Sequence, residues 1–314
     1  MVSKRRSFLK NSSILAGSIL LGSSVDSIAA FSKELNGTLA SNALSILHTS
    51  GLSGSLNPVA GPFGGLKKVN QLFIRRDISH LILDSGNFLQ EGGQTEDHFE
   101  VIRLMNKMGY RATTIGKNEL SMGQEQLAAI LPALNFELVN CNYNFSHTTL
   151  SSRIKPYIIL NSGKIKIGIT GVGNCSPIAG VQISEPFQAV NQIAKKLKRD
   201  LKCDFVICLT QFSKNTKTYN DKKLAEASEY IDLIIGGEPG KVIKNAYVVK
   251  NQKKYDVLVS QAGSKGKTVG ELTYEFNQFN TIRSLKHKYS ISGMSQYASL
   301  KQKHEVFQLL TAAV

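Results

Sequence analysis

Two glutamates stand where an acid/base pair could work. Glu119 closes the stretch Gly116-Lys117-Asn118-Glu119, and Glu238 lies in Gly237-Glu238-Pro239-Gly240. Each follows a stretch that reads as a strand, R-A-T-T-I before the first and the apolar I-D-L-I-I before the second. A pair of carboxyls at the ends of strands is able to share general acid and base work. The plainer reading is preferred. In it Glu119 is a scaffold carboxylate and Glu238 an ion-pair partner for Lys117. Three apolar runs elsewhere end in polar loops. They lead into Ser50-Gly51-Leu52-Ser53-Gly54, Asp84-Ser85-Gly86-Asn87 and Leu209-Thr210-Gln211. The carboxyl ends of strands are where open α/β sheets place their ligands.

The order and wording of these five loops resemble the metallophosphatase domain of secreted 5′-nucleotidases, within the calcineurin-like metallophosphoesterases. The likeness runs over roughly 44–276 and includes Gly64-Gly65-Leu66, Asn140 or Asn142 and Gln261-Ala262-Gly263. It implies an α/β fold, a metallo-dependent phosphatase-like sheet sandwich flanked by helices. It also implies two divalent metal ions that clamp a phosphate and activate a water. In the family the loops read N-D-x-H-G, D-x-G-D, G-N-H-E, a strand ending in His, and G-H-x-H. Here Gly51 and Ser53 stand at the first pair of ligand positions. Asp84 is retained, but Asn87 replaces the bridging carboxylate. Lys117 replaces the Asn ligand and Asn118 the His that donates a proton, while Glu119 is retained. Gln211, Glu238 and Gly240 stand at the remaining His positions. Divalent ions are held by carboxylate and imidazole, so no bound metal and no other cofactor is expected. Lys117 is expected to put its ammonium in the former metal pocket, within hydrogen-bond reach of Glu238, Asn87 or Asp84.

Histidine and cysteine usage offers no substitute site. His48 sits inside the first strand, in the family's I-L-H-T wording. His80, His98, His147, His287 and His304 lie outside the loops. Cys141, Cys175, Cys203 and Cys208 have no C-x-x-C spacing. An odd separation puts Cys203 and Cys208 on opposite faces of one strand, as small buried hydrophobes. The glycine-rich G-P-F-G-G-L-K-K at 61–68 lacks the spacing of a phosphate loop.

The formal net charge is +15, and 42% of residues are hydrophobic. A folded protein is expected, and the charge surplus is read first as a basic solvated surface, with affinity for something anionic, such as phosphates, nucleic acid or acidic glycans, as the alternative. Lys4, Arg5, Arg6 and Lys10 against Asp26 supply +3 of the charge, leaving +12 for the rest. The lysines are scattered and no aromatic-plus-Arg motif marks a reader of bases, so nucleic acid is not the expected partner. S-K-R-R-S-F-L-K at 3–10, an apolar stretch at 14–22 and Ser27-Ile28-Ala29-Ala30 resemble a twin-arginine export signal. That implies a bacterial cell and an exported protein of the periplasm or envelope. The alternative is a retained anchor. No later stretch reaches membrane-spanning length.

The elements that must position the loops follow from periodicity. Strands are expected at 44–48, 80–84, 111–115, 136–142, 204–209 and 231–235, and helices at 64–76, 96–108, 123–131, 187–201 and 221–229. In helix 96–108, Phe99, Ile102, Leu104 and Met105 are the candidate core residues. Asn161-Ser162-Gly163 joins 154–160 and 164–172 as a hairpin. The chain divides into a signal at 1–30, a flexible segment at 31–43, the metallophosphatase-like domain at 44–292 and a C-terminal helix at 293–314. No stretch is expected to supply the nucleoside-binding C-terminal domain that the secreted nucleotidases carry. The leading expectation is therefore an exported pseudo-phosphatase that binds a phosphorylated ligand or a partner. The expected partner is a separate chain like that C-terminal domain, or an active paralogue. The alternatives are an active metal-dependent phosphoesterase or 5′-nucleotidase, and an envelope scaffold that binds acidic polymers.

Overall fold

Two strands set the plan of the molecule: A-L-S-I-L-H-T and F-V-I-C-L-T-Q are apolar and buried almost end to end, as strands covered on both faces must be. The computed structural model describes residues 43–74, 80–212, 218–237, 246–295 and 298–312. The strands are β1 (Ala43–Thr49), β2 (Leu81–Asp84), β3 (Tyr110–Thr113), β4 (Glu137–Val139), β5 (Tyr143–Phe145), β6 (Ile154–Lys155), β7 (Tyr157–Ser162) and β8 (Ile165–Gly173). They continue as β9 (Val181–Ile183), β10 (Phe205–Gln211), β11 (Leu233–Gly236), β12 (Tyr247–Lys250), β13 (Asp256–Gln261), β14 (Thr268–Phe276) and β15 (Ile282–Ile291). The helices are α1 (Leu66–Ile74), α2 (Thr95–Met108), α3 (Lys117–Ser121), α4 (Gln124–Ile130), α5 (Thr148–Arg153), α6 (Pro186–Lys195), α7 (Asp221–Ala227) and α8 (Leu300–Ala312).

The strands form two large mixed sheets. A seven-stranded sheet runs β15-β14-β1-β2-β3-β4-β6, and a six-stranded sheet runs β12-β13-β11-β10-β8-β7. Side-chain alternation explains their stacking. Phe205, Ile207 and Leu209 of β10 meet Leu44 and Ile46 of β1 and Leu272 and Tyr274 of β14 in one inner core. Phe205 packs on Tyr274 with ring centroids 4.7 Å apart. Val206 and Cys208 face the other way, onto Val190, Ala194 and Leu224 of α6 and α7. The outer face of the larger sheet is covered by α1, α2 and α4 through Val69, Ile102, Met105 and Leu127. The expected helix-flanked sheet sandwich is what the chain forms. Among the described residues, no helix is long and apolar enough to cross a membrane.

Four local expectations need correction. The buried stripe of α2 is His98, Val101, Ile102, Met105 and Met108, so Phe99 falls one position off it and is 36% exposed. The strand expected over 136–142 stops at Val139, because the Asn140 side chain accepts from the amides of Asn142 and Tyr143 and turns the chain. Cys203 precedes β10 instead of lying in it, so alternation does not apply and it packs in the same cluster as Cys208. The closing helix begins at Leu300, later than the sequence pattern indicates.

Candidate functional site

Parallel pairing brings the loop residues level with one another. Thr49 pairs with Asp84 across β1 and β2, and Asp84 with Thr113 across β2 and β3. In the other sheet Gln211 lies beside Gly173, and Gly236 beside both Thr210 and Gln261. The two carboxyl-terminal edges then meet. Ser50 Oγ donates to the Gly236 carbonyl at 2.8 Å and accepts from the Ala262 amide at 3.3 Å. The Gly51 amide reaches the Gly86 carbonyl at 3.2 Å, and the Ser53 amide the Asn87 carbonyl at 2.8 Å.

The convergence is tight enough to require glycine. A Cβ on Gly237 would stand 2.0 Å from Gln211 Oε1 and 2.6 Å from Ser85 Oγ. A Cβ on Gly116 would stand 2.1 Å from Asn87 Oδ1 and 2.7 Å from Gln211 Cγ. Gln211 Oε1 and Ser85 Oγ are both buried without a hydrogen-bond partner among the described residues. Among the described residues, these close contacts are between neutral side-chain oxygens and glycine backbone.

Both carboxylates here are buried and engaged. Asp84 Oδ2 accepts from Thr49 Oγ1 at 2.6 Å, and Oδ1 from the Gly86 amide at 2.7 Å and Thr113 Oγ1 at 3.2 Å. Burial outweighs these bonds and pushes its pKa up to about 6. Glu119 is fully buried in α3. Its Oε1 accepts from the Leu89 amide at 2.9 Å, and its Oε2 from Gly116 at 2.8 Å and Asn87 at 3.0 Å. Burial again dominates and pushes its pKa up to about 7. One carboxyl therefore ties the loop after β2 to the start of α3.

Asn118 and Asn87 complete that tie. The Asn118 amide donates to Asn87 Oδ1 at 3.0 Å, and Asn118 Nδ2 to the Leu89 carbonyl at 2.8 Å. Asn87 holds φ 53°, a left-handed conformation that asparagine tolerates better than most residues. Lys117 departs from expectation. Its Nζ lies 2.7 Å from Glu91 and its side chain is 76% exposed, so it faces solvent and not the cluster. At the first residue of α3 its side chain projects outward, while Glu119, two positions on, turns in. Glu238 and Gly240 lie outside the described residues.

His48 is neutral scaffold. Its Nε2 lies 2.7 Å from Ser260 Oγ, and burial lowers its pKa to about 3. Among the described residues, no three His, Cys, Asp or Glu side chains are grouped to hold a metal ion. Sequence reasoning missed a third buried carboxyl. Asp221 Oδ1 accepts from Thr210 Oγ1 and Oδ2 from Gln261 Nε2, both at 2.5 Å. Its signal was Asn220, whose side chain caps α7 through the Lys223 amide.

No family model matches the chain. It is 23% identical over 300 residues to the trifunctional nucleotide phosphoesterase of Bacillus subtilis, covering 81% of this chain and 19% of that protein. It is similar in structure to the 5′-nucleotidase precursor from Thermus thermophilus, with a TM-score of 0.72 and 22% identity over 86% of this chain and 59% of that one. The calcineurin-like phosphoesterase YfkN from Bacillus subtilis gives a TM-score of 0.63 and 21% identity over 87% of this chain and 99% of that one. The chain thus spans about a fifth of the length of the curated relative and about three fifths of the Thermus structure. Its relatives and structural neighbours are 5′-nucleotidases and calcineurin-like phosphoesterases, and it has the fold of their metallophosphatase domain.

Proposed function

We propose that this chain is a 5′-nucleotidase-like metallophosphatase domain that works by binding and not by hydrolysis. The observation that carries the reading is the donor set at the strand ends. A pair of divalent ions needs several carboxylates or imidazoles within reach of each ion. Of the positions named for that role, Gly51 has no side chain and Ser53, Asn87 and Gln211 offer neutral oxygens. Lys117 is turned to solvent. Both carboxylates of the cluster already accept three hydrogen bonds each. The described residues at these strand ends do not fit a dinuclear centre.

What remains is a rigid loop cluster on a sheet sandwich, suited to hold a phosphorylated ligand or a protein partner. The part of the Thermus 5′-nucleotidase precursor that matches this chain is 59% of that protein. A separate chain resembling the rest of it, or an active paralogue, is the partner proposed. Residues 1–30 act in this reading as a twin-arginine-type signal that delivers the protein to the periplasm or envelope.

Elemental analysis of the purified mature chain tests the reading, run beside hydrolysis of nucleotides and model phosphate esters with Mn, Zn and Fe. Sub-stoichiometric metal and no metal-stimulated turnover are expected. About two tightly held ions per chain with turnover would make the runner-up, an active phosphoesterase, correct.

A further inference from the structure

The pole of the six-stranded sheet opposite the loop cluster is strongly basic. Contrary to the expectation that the lysines are scattered everywhere, after α6 the chain runs Lys195-Lys196-Leu197-Lys198-Arg199-Asp200-Leu201-Lys202, five cations and one acid in eight residues. Residues Lys196–Asp200 form one turn of π-helix, a widened turn that is uncommon in helices and frequent at functional positions. This turn leads into the amino end of β10, whereas Gln211 at the carboxyl end belongs to the cluster. Seven residues of strand separate the two by about 20 Å.

The turn is anchored, and its remaining cations are held outward. Lys198 Nζ sits 2.6 Å from Asp232 and 2.6 Å from the Asp204 carbonyl, which pins the turn to the strands. Lys195, Lys196, Arg199, Lys202 and Lys254 are exposed. Arg199 lies over the Tyr230 ring at 5.4 Å, and Lys253 over the same ring at 3.5 Å. Lys196 lies over Tyr157 at 5.2 Å. Aromatic faces here fix cations in place, so they are not offered for stacking on bases. All but one of the cations are lysines, point charges that suit single phosphates better than the bidentate recognition at which arginine excels.

We propose that this pole is a docking surface for a phosphodiester polymer without bases, read by charge alone. The surface acts independently of the strand-end cluster, so it stands whether or not that cluster holds metal.

The probe is purified poly(glycerol phosphate), titrated against the full chain between 50 and 300 mM NaCl, with a thymidine oligonucleotide of equal charge beside it. Binding that weakens steeply with salt is expected. The triple variant Lys195→Ala, Lys196→Ala, Arg199→Ala should bind at least tenfold more weakly. Its salt dependence should fall by about 2 in log–log slope, at roughly 0.7 per lost phosphate contact. If that variant loses its circular dichroism spectrum, the exposed pair Lys202→Glu, Lys254→Glu takes its place, with at least tenfold weaker binding and a slope lower by about 1.4 for two lost contacts. Lys301→Ala with Lys303→Ala, on α8, should leave binding unchanged. Three results would overturn the proposal: no binding at 50 mM salt, equal weakening by the α8 variant, or tenfold tighter binding of the oligonucleotide.

Discussion

Glu119→Gln isolates the tie between the loop after β2 and α3, and its effect should depend on pH. In the native chain both carboxylate oxygens accept backbone amides, two on Oε2 and one on Oε1. Glutamine can keep its carbonyl at the Oε2 position. Its NH2 then faces the Leu89 amide, two donors together, which costs about 1–3 kcal/mol for a buried unsatisfied group. The native glutamate carries a cost of its own. Burial raises its pKa from the ordinary 4.5 to about 7, so the folded state holds the proton more tightly than the unfolded chain. The stability this confers is complete below pH 4.5 and is lost as pH rises through 7. At about 1.4 kcal/mol per tenfold, the full span is about 3 kcal/mol, of which about 2 falls between pH 5 and pH 7.5. Glutamine does not titrate. Urea unfolding at the two pH values should therefore show the variant less stable at pH 5 and the gap narrowed by about 2 kcal/mol at pH 7.5. A gap that is constant or widens with pH would refute the reasoning.

Asp84→Asn should show the same sign at lower pH, because its carboxyl titrates near 6 in the folded chain: the native protein loses stability between about pH 4 and pH 6, and the variant does not. Thermal unfolding across that range is the check. Gly116→Ala should cost about 1–3 kcal/mol by overpacking against Asn87 Oδ1, and less in an Asn87→Gly background, measured as a double-mutant cycle. Lys117→Ala should change stability by no more than about 0.5 kcal/mol, since it removes an exposed pair with Glu91. A larger loss in urea unfolding would return Lys117 to the interior.

The fold was legible because strands buried on both faces and amphipathic helices leave plain periodic signals. The runs at β1, β2, β10 and β11 all became central strands. The contacts of the site were less so. Lys117 and Glu119 are two residues apart in a single helical turn, and which of them turns inward depends on three backbone amides from two separate loops. Side-chain charge alone pointed to Lys117. The clamp on Asp221 joins β10, α7 and β13, and only the finished sheet brings Thr210 and Gln261 to it. Strand ends such as Val139, where an asparagine side chain captures the following amides, depend on local hydrogen bonding that hydrophobic patterning does not report.

The place of β1 in the larger sheet governs the order of assembly. It lies between β2 and β14, with Ala43 opposite Glu275. During synthesis β2 emerges soon after β1, but the other edge of β1 stays bare until residue 276 has left the ribosome. Contacts of such long sequence separation close slowly. For that interval the nascent chain presents an apolar strand with unpaired amides and carbonyls, a template for any other extended segment. The β14 of a neighbouring copy is the best-matched segment to fill it, so crowded polysomes would favour exchange of β14 between copies over monomers.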